Sequence, residues 1–203
     1  MAYVFGFLSA DGTLTKNKRG AHFLELQITD GLLLRNIRHT LGSNHKISIH
    51  SMPAPQNSIY RIQIGSKIMF HDLRALGLSQ HKARTIKFPS VPIQYLPEFT
   101  RGYFDGDGYV WLGYVHKNRR TKTLALRVVF TSCSKVFLKG LQKVLAERLE
   151  ISGSLTHYSQ AYRLIYSTKP SLLLYRFMYN NPGIHLYRKK KIFDKYIKKG
   201  SVA

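Results

Sequence analysis

The sequence predicts an α+β fold made of two tandem αββαββα repeats, in which antiparallel sheets surround a central pair of helices. Three observations predict it. The chain contains an internal repeat with an offset of about 100 residues, and the hydrophobic periodicity changes in the same order in both copies. The first helix of each copy also carries small residues four positions apart.

The internal repeat consists of matching segments in the same order. Phe5-Gly-Phe-Leu-Ser-Ala-Asp-Gly12 recurs as Arg101-Gly-Tyr-Phe-Asp-Gly-Asp-Gly108, an offset of 96 residues. Tyr60-Arg-Ile-Gln-Ile-Gly-Ser-Lys67 recurs as Tyr162-Arg-Leu-Ile-Tyr-Ser-Thr-Lys169, an offset of 102 residues. Such matches indicate a tandem duplication with small differences in loop length.

The proline-rich segment 87–97 separates the two copies and is predicted to be a linker. We therefore expect an N-terminal repeat at 1–86 and a C-terminal repeat at 98–203. Each repeat begins with a helix that ends before a glycine, as helix C-termini often do, and continues with a hairpin of alternating apolar and polar residues. The elements expected in order are helices at 3–11 and 98–107, hairpins at 13–17 with 21–29 and 109–116 with 122–131, helices at 31–41 and 134–149, strand pairs at 45–51 with 59–65 and 153–158 with 161–167, and then C-terminal helices.

The composition limits the class of partner. The 203 residues include 32 Lys+Arg and 10 Asp+Glu, a formal charge of +22, and both repeats share the excess of basic residues. Such a charge favours a polyanionic partner, with nucleic acid first and an anionic membrane surface second. No apolar run reaches the roughly 20 residues of a membrane-spanning helix. A single cysteine, Cys133, excludes an internal disulfide and a cysteine-cluster zinc site.

The sheet faces turned away from the helices are predicted to bind nucleic acid, because their side chains are of the types that contact bases and phosphates. An ordinary solvated face is the alternative, but such a face would mix both signs of charge, and Glu25 is the only acid among the positions assigned to this face. With the basic loop of the second hairpin, the candidates are Gln27, Thr29, Lys46, Ser48, His50, Arg61, Gln63, Lys117, Arg119, Arg120, Thr123, Arg127 and Arg163.

Small residues four apart predict that the first helices of the two repeats pack against each other. They are Gly6 and Ala10 in one helix, and Gly102 and Gly106 in the other. Glycine inside a helix costs about 0.5–1 kcal/mol relative to alanine, and close approach of two helix backbones is a reason to keep it. We expect these four residues to form a helix interface about a pseudo-two-fold axis.

Each of these helices ends in an acidic residue, Asp11 or Asp107. A carboxylate is unfavourable at the negative end of a helix dipole, and this basic chain contains 10 acidic residues against 32 basic ones. Two such carboxylates side by side make sense if a divalent cation binds between them. With the backbone carbonyls of Ala10 and Gly106, they form an oxygen-rich site suited to Mg²⁺. The alternative is that each Asp-Gly pair simply makes a turn.

The segments 5–12 and 101–108 resemble the two motifs of the LAGLIDADG homing endonuclease family in its single-chain form. The resemblance implies a saddle of two sheets over duplex DNA and a monomer that cuts one phosphodiester on each strand of a long, non-palindromic site. It implies that Asp11 and Asp107 bind Mg²⁺, with Mn²⁺ as a substitute and Ca²⁺ supporting binding without cleavage. Ser9 stands where many members have an acid, as Asp105 does in the second motif.

The resemblance also implies a basic residue near each cleavage centre. Lys82 and Lys189 are the candidates, although Lys82 could equally anchor a phosphate, and Arg188 and Lys190 compete with Lys189. A polar residue that organises water is implied at the end of the second strand of each repeat, where Asp30 and Ser132 stand.

Other functions of the same scaffold stay open. An intron RNA maturase or a DNA-binding regulator that does not cleave would need neither terminal acid, so the presence of both favours cleavage. A membrane-surface protein is disfavoured, because no basic helix with a broad apolar face is evident. The first motif starts within three residues of Met1, so no cleavable presequence is expected. We expect a protein that is not secreted and works at the nucleoid, or in an organelle matrix if the gene is organellar. Whether the gene lies in an intron is left open.

Overall fold

A computed structural model describes residues 1–80, 82–116, 120–180 and 182–200, and it has the predicted α+β architecture. In this part of the chain the helices are α1 (Ala2–Asp11), α2 (Gly31–Thr40), α3 (Lys67–Ala75), α4 (Leu96–Asp107), α5 (Lys135–Leu149), α6 (Thr168–Tyr179) and α7 (Tyr187–Gly200). The strands are β1 (Thr13–Lys16), β2 (His22–Ile28), β3 (Ile47–His50), β4 (Ile59–Gly65), β5 (Gly108–Val115), β6 (Thr123–Ser132), β7 (Ser154–Tyr158) and β8 (Ala161–Tyr166).

The two sheets have the same topology, which confirms the duplicated fold. Their strand orders are β1-β2-β4-β3 and β5-β6-β8-β7, and all the paired strands are antiparallel. In β2, Leu24 and Leu26 are buried under the helices while Gln27 is exposed on the other face. The alternation seen in the sequence therefore assigns the two faces of this strand correctly.

Helices α1 and α4 form the central pair and run in the same direction. A β-carbon added to Gly6 would overlap the carbonyl oxygen of Phe99, and one added to Gly102 would overlap that of Tyr3. Further along the pair, Ala10 of α1 faces Gly106 of α4. The backbones are therefore in contact where the small residues stand, and the two helices end side by side.

The glycines after these helices act differently from a usual C-terminal glycine cap. Gly12 (φ −74°) and Gly108 (φ −100°) are both extended rather than left-handed. A β-carbon on Gly12 would lie 2.8 Å from the carbonyl oxygen of Leu8, and one on Gly108 would lie 2.6 Å from that of Phe104. Glycine is needed here because the chain turns back against the last helical turn, not because of a positive φ.

Side-chain caps fix the starts of several other helices. Asp30 accepts a hydrogen bond from the backbone N–H of Leu33 (2.8 Å), and the hydroxyl of Ser134 accepts one from that of Phe137 (3.3 Å). The proposed linker contains a 3₁₀ turn (Ile93–Tyr95), and α4 begins at Leu96 inside the expected linker range. None of the helices in the described ranges is long and apolar enough to cross a membrane.

Candidate functional site

The paired ends of α1 and α4 bring Asp11 and Asp107 to one place. A β-carbon on Gly106 would lie 3.2 Å from Oδ2 of Asp11, so the acid of one helix lies beside the last turn of the other. Asp11 is exposed and Asp107 is half-buried. Among the residues that the structure describes, neither carboxylate accepts a hydrogen bond or forms an ion pair. Two acids without a protein partner are notable in a chain with a charge of +22.

The pKa values of both acids reflect this crowding. Burial raises the pKa of Asp107 to about 6, with a further contribution from the negative charge of Asp11. The pKa of Asp11 is also raised, because protein packed around the helix ends removes part of the hydration of its carboxylate, although the residue as a whole keeps an exposed surface. The positive charges of Lys82 and Lys189 lower both pKa values but do not cancel the effect of burial. The site therefore holds excess negative charge that a cation would stabilise.

Lys82 and Lys189 occupy matching positions at the two helix ends. The Nζ of Lys82 donates to the carbonyls of Ala10 (3.1 Å) and Gly12 (2.5 Å). The Nζ of Lys189 donates to the corresponding carbonyls of Gly106 (3.4 Å) and Gly108 (2.5 Å), and also to the two preceding carbonyls of α4, each at 2.7 Å. Each lysine thus caps a helix C-terminus, where a cation complements the helix dipole.

The contacts of Lys189 distinguish it from its basic neighbours. It is 5% exposed, and burial lowers its pKa to about 8. Lys190 instead forms an ion pair with Asp194 (3.1 Å), and Arg188 is exposed. Lys189 is therefore the one of these three residues that binds the carbonyls at the end of α4, although Arg188 also lines the cleft beside Asp11 and Gly106. The carbonyls proposed as metal ligands, those of Ala10 and Gly106, each accept a lysine hydrogen bond and keep a second lone pair.

Asp105, the second acid of α4, points into the protein rather than toward the site. Its Oδ2 accepts hydrogen bonds from the Tyr3 hydroxyl (2.8 Å) and the backbone N–H of Leu186 (2.7 Å). Leu186 in turn accepts a hydrogen bond from the backbone N–H of Lys189 (3.0 Å). Asp105 therefore anchors the segment that carries Lys189. In the part of the chain that the structure describes, the hydroxyl of Ser9, at the matching position of α1, donates to the Phe5 carbonyl of its own helix (2.8 Å). No pattern in the sequence indicated that Asp105 would bind residues outside its own helix.

The two residues expected to organise water have local structural roles. Asp30 caps α2, although it also lines a cleft beside Asp11. Ser132 is buried, and its hydroxyl accepts a hydrogen bond from the backbone N–H of Ser134 (3.1 Å) at the turn into α5. Neither contact requires a ligand.

The open face of the first sheet carries a connected set of polar side chains. Gln27 and Ser48 both lie opposite Arg61 on neighbouring strands, and Gln63 lies opposite Glu25. Thr29 follows the end of β2 and Lys46 precedes β3. The predicted residues of this repeat are all exposed: Gln27, Thr29, Lys46, Ser48, His50, Arg61 and Gln63.

The open face of the second sheet combines arginines with aromatic rings. Arg127 lies opposite Trp111, and Arg163 lies opposite Thr131, while Thr123 is exposed at the start of β6. Arg120 is exposed before β6, whereas Lys117 and Arg119 lie outside the described residues. The sequence interpretation missed the rings Tyr109, Trp111 and Tyr158. Their alternation with Val110 and Leu112 in β5 was the available signal for the first two.

The donors at the helix ends fit a hard divalent cation. In the described ranges no group of three or more His, Cys, Asp or Glu side chains forms a metal cluster. The two carboxylates and the adjoining carbonyls offer oxygen donors only, and Mg²⁺ prefers oxygen ligands and commonly keeps several waters. The residues present at the helix ends would therefore suit Mg²⁺.

Comparison with known proteins identifies the architecture. Residues 95–178 match the family model of the LAGLIDADG-like domain. The structure is similar to three DNA complexes. The LAGLIDADG meganuclease I-AabMI bound to uncleaved DNA has a TM-score of 0.65 and 16% identity, and the match covers 98% of this chain and 90% of that chain. I-SmaMI bound to uncleaved DNA with calcium ions has a TM-score of 0.62, 16% identity and coverages of 91% and 85%, and the homing endonuclease I-WcaI bound to its recognition sequence has a TM-score of 0.64, 14% identity and coverages of 94% and 83%.

A curated protein matches a part of the chain. It is named probable translation initiation factor IF-2, from Methanocaldococcus jannaschii, and is 34% identical over 89 residues. The match covers 42% of this chain but 7% of that protein, so its name implies no function here. The match of residues 95–178 to the LAGLIDADG-like model and the similarity to these structures show that the chain has the LAGLIDADG meganuclease fold, as the motifs predicted.

Proposed function

We propose that this protein is a monomeric, site-specific endonuclease that cuts both strands of a long, non-palindromic DNA duplex with Mg²⁺. One observation carries the proposal: two carboxylates without protein partners lie at adjoining helix ends in a strongly basic protein. The meganucleases of the same fold are bound to DNA, and one of those complexes contains calcium ions. The polar sheet faces supply the long DNA-binding surface that such a site requires.

In this proposal Asp11 and Asp107 hold Mg²⁺ with the carbonyl oxygens of Ala10 and Gly106. When bound, the cation supplies an activated water and charge stabilisation at the leaving oxygen. Lys82 and Lys189 hold the helix ends in place and put positive charge near the scissile phosphates. The two repeats differ at corresponding face positions, such as Gln27 and Arg127, so the two half-sites should differ in sequence.

The test is selection from a randomised duplex library, first for binding with Ca²⁺ and then for cleavage with Mg²⁺. We expect one long sequence to be enriched and to be cut on both strands with Mg²⁺. Asp107→Asn should abolish cleavage and leave affinity for the selected duplex largely unchanged, because the acid binds the cation rather than the bases.

Asp72→Asn is the matched control, since it removes the same charge from an exposed residue of α3. It should cleave like the wild type. Full cleavage by Asp107→Asn would contradict the role of that residue. If the protein binds one duplex specifically but cleaves it with none of the divalent metals tested, a regulator on the same scaffold is favoured. If it prefers a structured intron RNA to every duplex, a maturase is favoured.

A further inference from the structure

We propose that the C-terminal sheet reads guanine through Arg127 and Arg163, held in position by aromatic side chains, while the arginine of the N-terminal sheet is committed to a carboxylate. This inference rests on the proposed function and deepens it. It assigns Tyr109, Trp111 and Tyr158 as positioning residues for base recognition.

The two arginines of the C-terminal sheet lie over aromatic rings. The guanidinium carbon of Arg127 is 5.3 Å from the centre of the Trp111 ring. That of Arg163 is 3.6 Å from the centre of the Tyr158 ring and 5.9 Å from that of Tyr109. In the part of the chain that the structure describes, neither guanidinium donates a hydrogen bond or forms an ion pair.

The matching face of the N-terminal sheet is organised around an acid. Glu25 forms an ion pair with Arg61 (2.5 Å) and also accepts hydrogen bonds from Gln27 (2.6 Å) and Gln63 (3.2 Å). These contacts lower the pKa of Glu25, with the Arg61 hydrogen bond as the largest cause. Arg61 therefore uses part of its donor set within the protein, and its charge is balanced there.

The two kinds of contact leave different groups free for DNA. A guanidinium that lies over a ring is attracted to the face of that ring, so its N–H donors in the guanidinium plane stay available. An arginine with free paired donors matches O6 and N7 of guanine, the commonest specific contact in the major groove. Its position is restricted before DNA arrives, so less conformational freedom is lost on binding. Guanine contacts should therefore concentrate in the half-site of the C-terminal sheet.

The test measures base preference at single positions of the selected duplex. Competition binding in Ca²⁺ compares duplexes that differ at one base pair, for the wild type, Arg127→Lys and Trp111→Leu. Arg127→Lys should lower the preference for guanine at one position about tenfold or more, since lysine lacks the planar pair of donors that makes the bidentate contact. Trp111→Leu should lower it at the same position about two- to fivefold, the share of an exposed cation–π contact. Tyr158→Leu should act in the same way at the position read by Arg163.

Tyr114→Leu is the matched control, because Tyr114 is an exposed aromatic residue of the same strand at a position that alternates to the opposite face. It should change no base preference, and unfolding midpoints should confirm that all variants are folded. The inference is overturned if Trp111→Leu and Tyr158→Leu keep the full guanine preference, or if Arg127→Lys relaxes no position. Failure of the wild type to select any duplex would overturn the proposed function itself, and this inference with it.

Discussion

Removing the charge of Asp107 should stabilise the metal-free protein. Its pKa rises from 3.8 to about 6, which means that folding disfavours the ionised form. At 1.36 kcal/mol per pKa unit, this rise corresponds to about 3 kcal/mol. The side chain is half-buried, and solvent screens part of the interaction. We therefore expect Asp107→Asn to raise the free energy of unfolding by about 1–3 kcal/mol at pH 7.5 in EDTA.

The gain in stability from Asp107→Asn should depend on pH. Between pH 3.8 and about 6 the folded protein binds the proton of Asp107 more tightly than the unfolded chain does. The free energy of unfolding of the wild type should therefore fall as pH rises through this window and stay lowered above it. The advantage of Asp107→Asn should be absent near pH 3.8 and complete above about 6. Urea unfolding of both proteins at several pH values, followed by circular dichroism, measures this difference.

The same series separates a local effect from a change in net charge. Asp72→Asn changes the charge equally but should show no gain in stability at pH 7.5. Mg²⁺ should stabilise the wild type and Asp72→Asn, and it should stabilise Asp107→Asn much less. The reasoning is refuted if Asp107→Asn is no more stable than the wild type at pH 7.5, or if its gain is as large at acid pH.

Three further predictions concern the packing of the helix pair, Lys189 and the protonation of Asp107. Gly6→Ala should destabilise the protein by about 3 kcal/mol or more in urea unfolding, because the added β-carbon would meet the backbone of α4. Gly183→Ala is the control and should be nearly neutral, because a β-carbon at this position would lie in open space. Lys189→Met should lower the free energy of unfolding by about 1–3 kcal/mol, because it leaves four helix-end carbonyls without a donor. This loss outweighs the gain from no longer burying a charged amine, whose pKa burial lowers to about 8. Lys191→Met, at an exposed position, should have little effect. At limiting Mg²⁺, the rate of cleavage should rise with pH through about 6, because Asp107 must lose its proton to bind the cation. A rate that does not change across this range would count against Asp107 as a metal ligand.

Local patterns in the sequence predicted most of the fold. The alternation around Leu24 and Leu26 assigned the faces of β2, and the spacing of Gly6 with Ala10 predicted the packing of α1 on α4. These features depend on the period of one element and are visible in a short window. The ends of elements were less accurate: the strand expected at 45–51 extends over Ile47–His50.

Contacts between distant residues were beyond the sequence patterns. Asp105 binds Tyr3 and Leu186, which lie 102 and 81 residues away in the chain. Lys189 could not be separated from its basic neighbours, because nothing in its flanking sequence indicates which lysine reaches the end of α4. The pairing of Arg127 with Trp111 depends on the register between β5 and β6, which hydrophobic alternation alone does not determine.

The two lysines of the site neutralise the helix ends, and they leave the negative charge of the two carboxylates unbalanced. This arrangement favours a role for a cation. Each helix end carries about half a negative charge on its carbonyls, and the Nζ groups of Lys82 and Lys189 are placed on those carbonyls. Two helix ends, two carboxylates and two lysines together leave a charge of about −1. If the lysines instead paired with the carboxylates, the pKa of Asp107 would lie below its ordinary value rather than near 6. The arrangement therefore leaves the two acids without a neutralising group among the described residues, which is what the proposed metal-dependent cleavage requires.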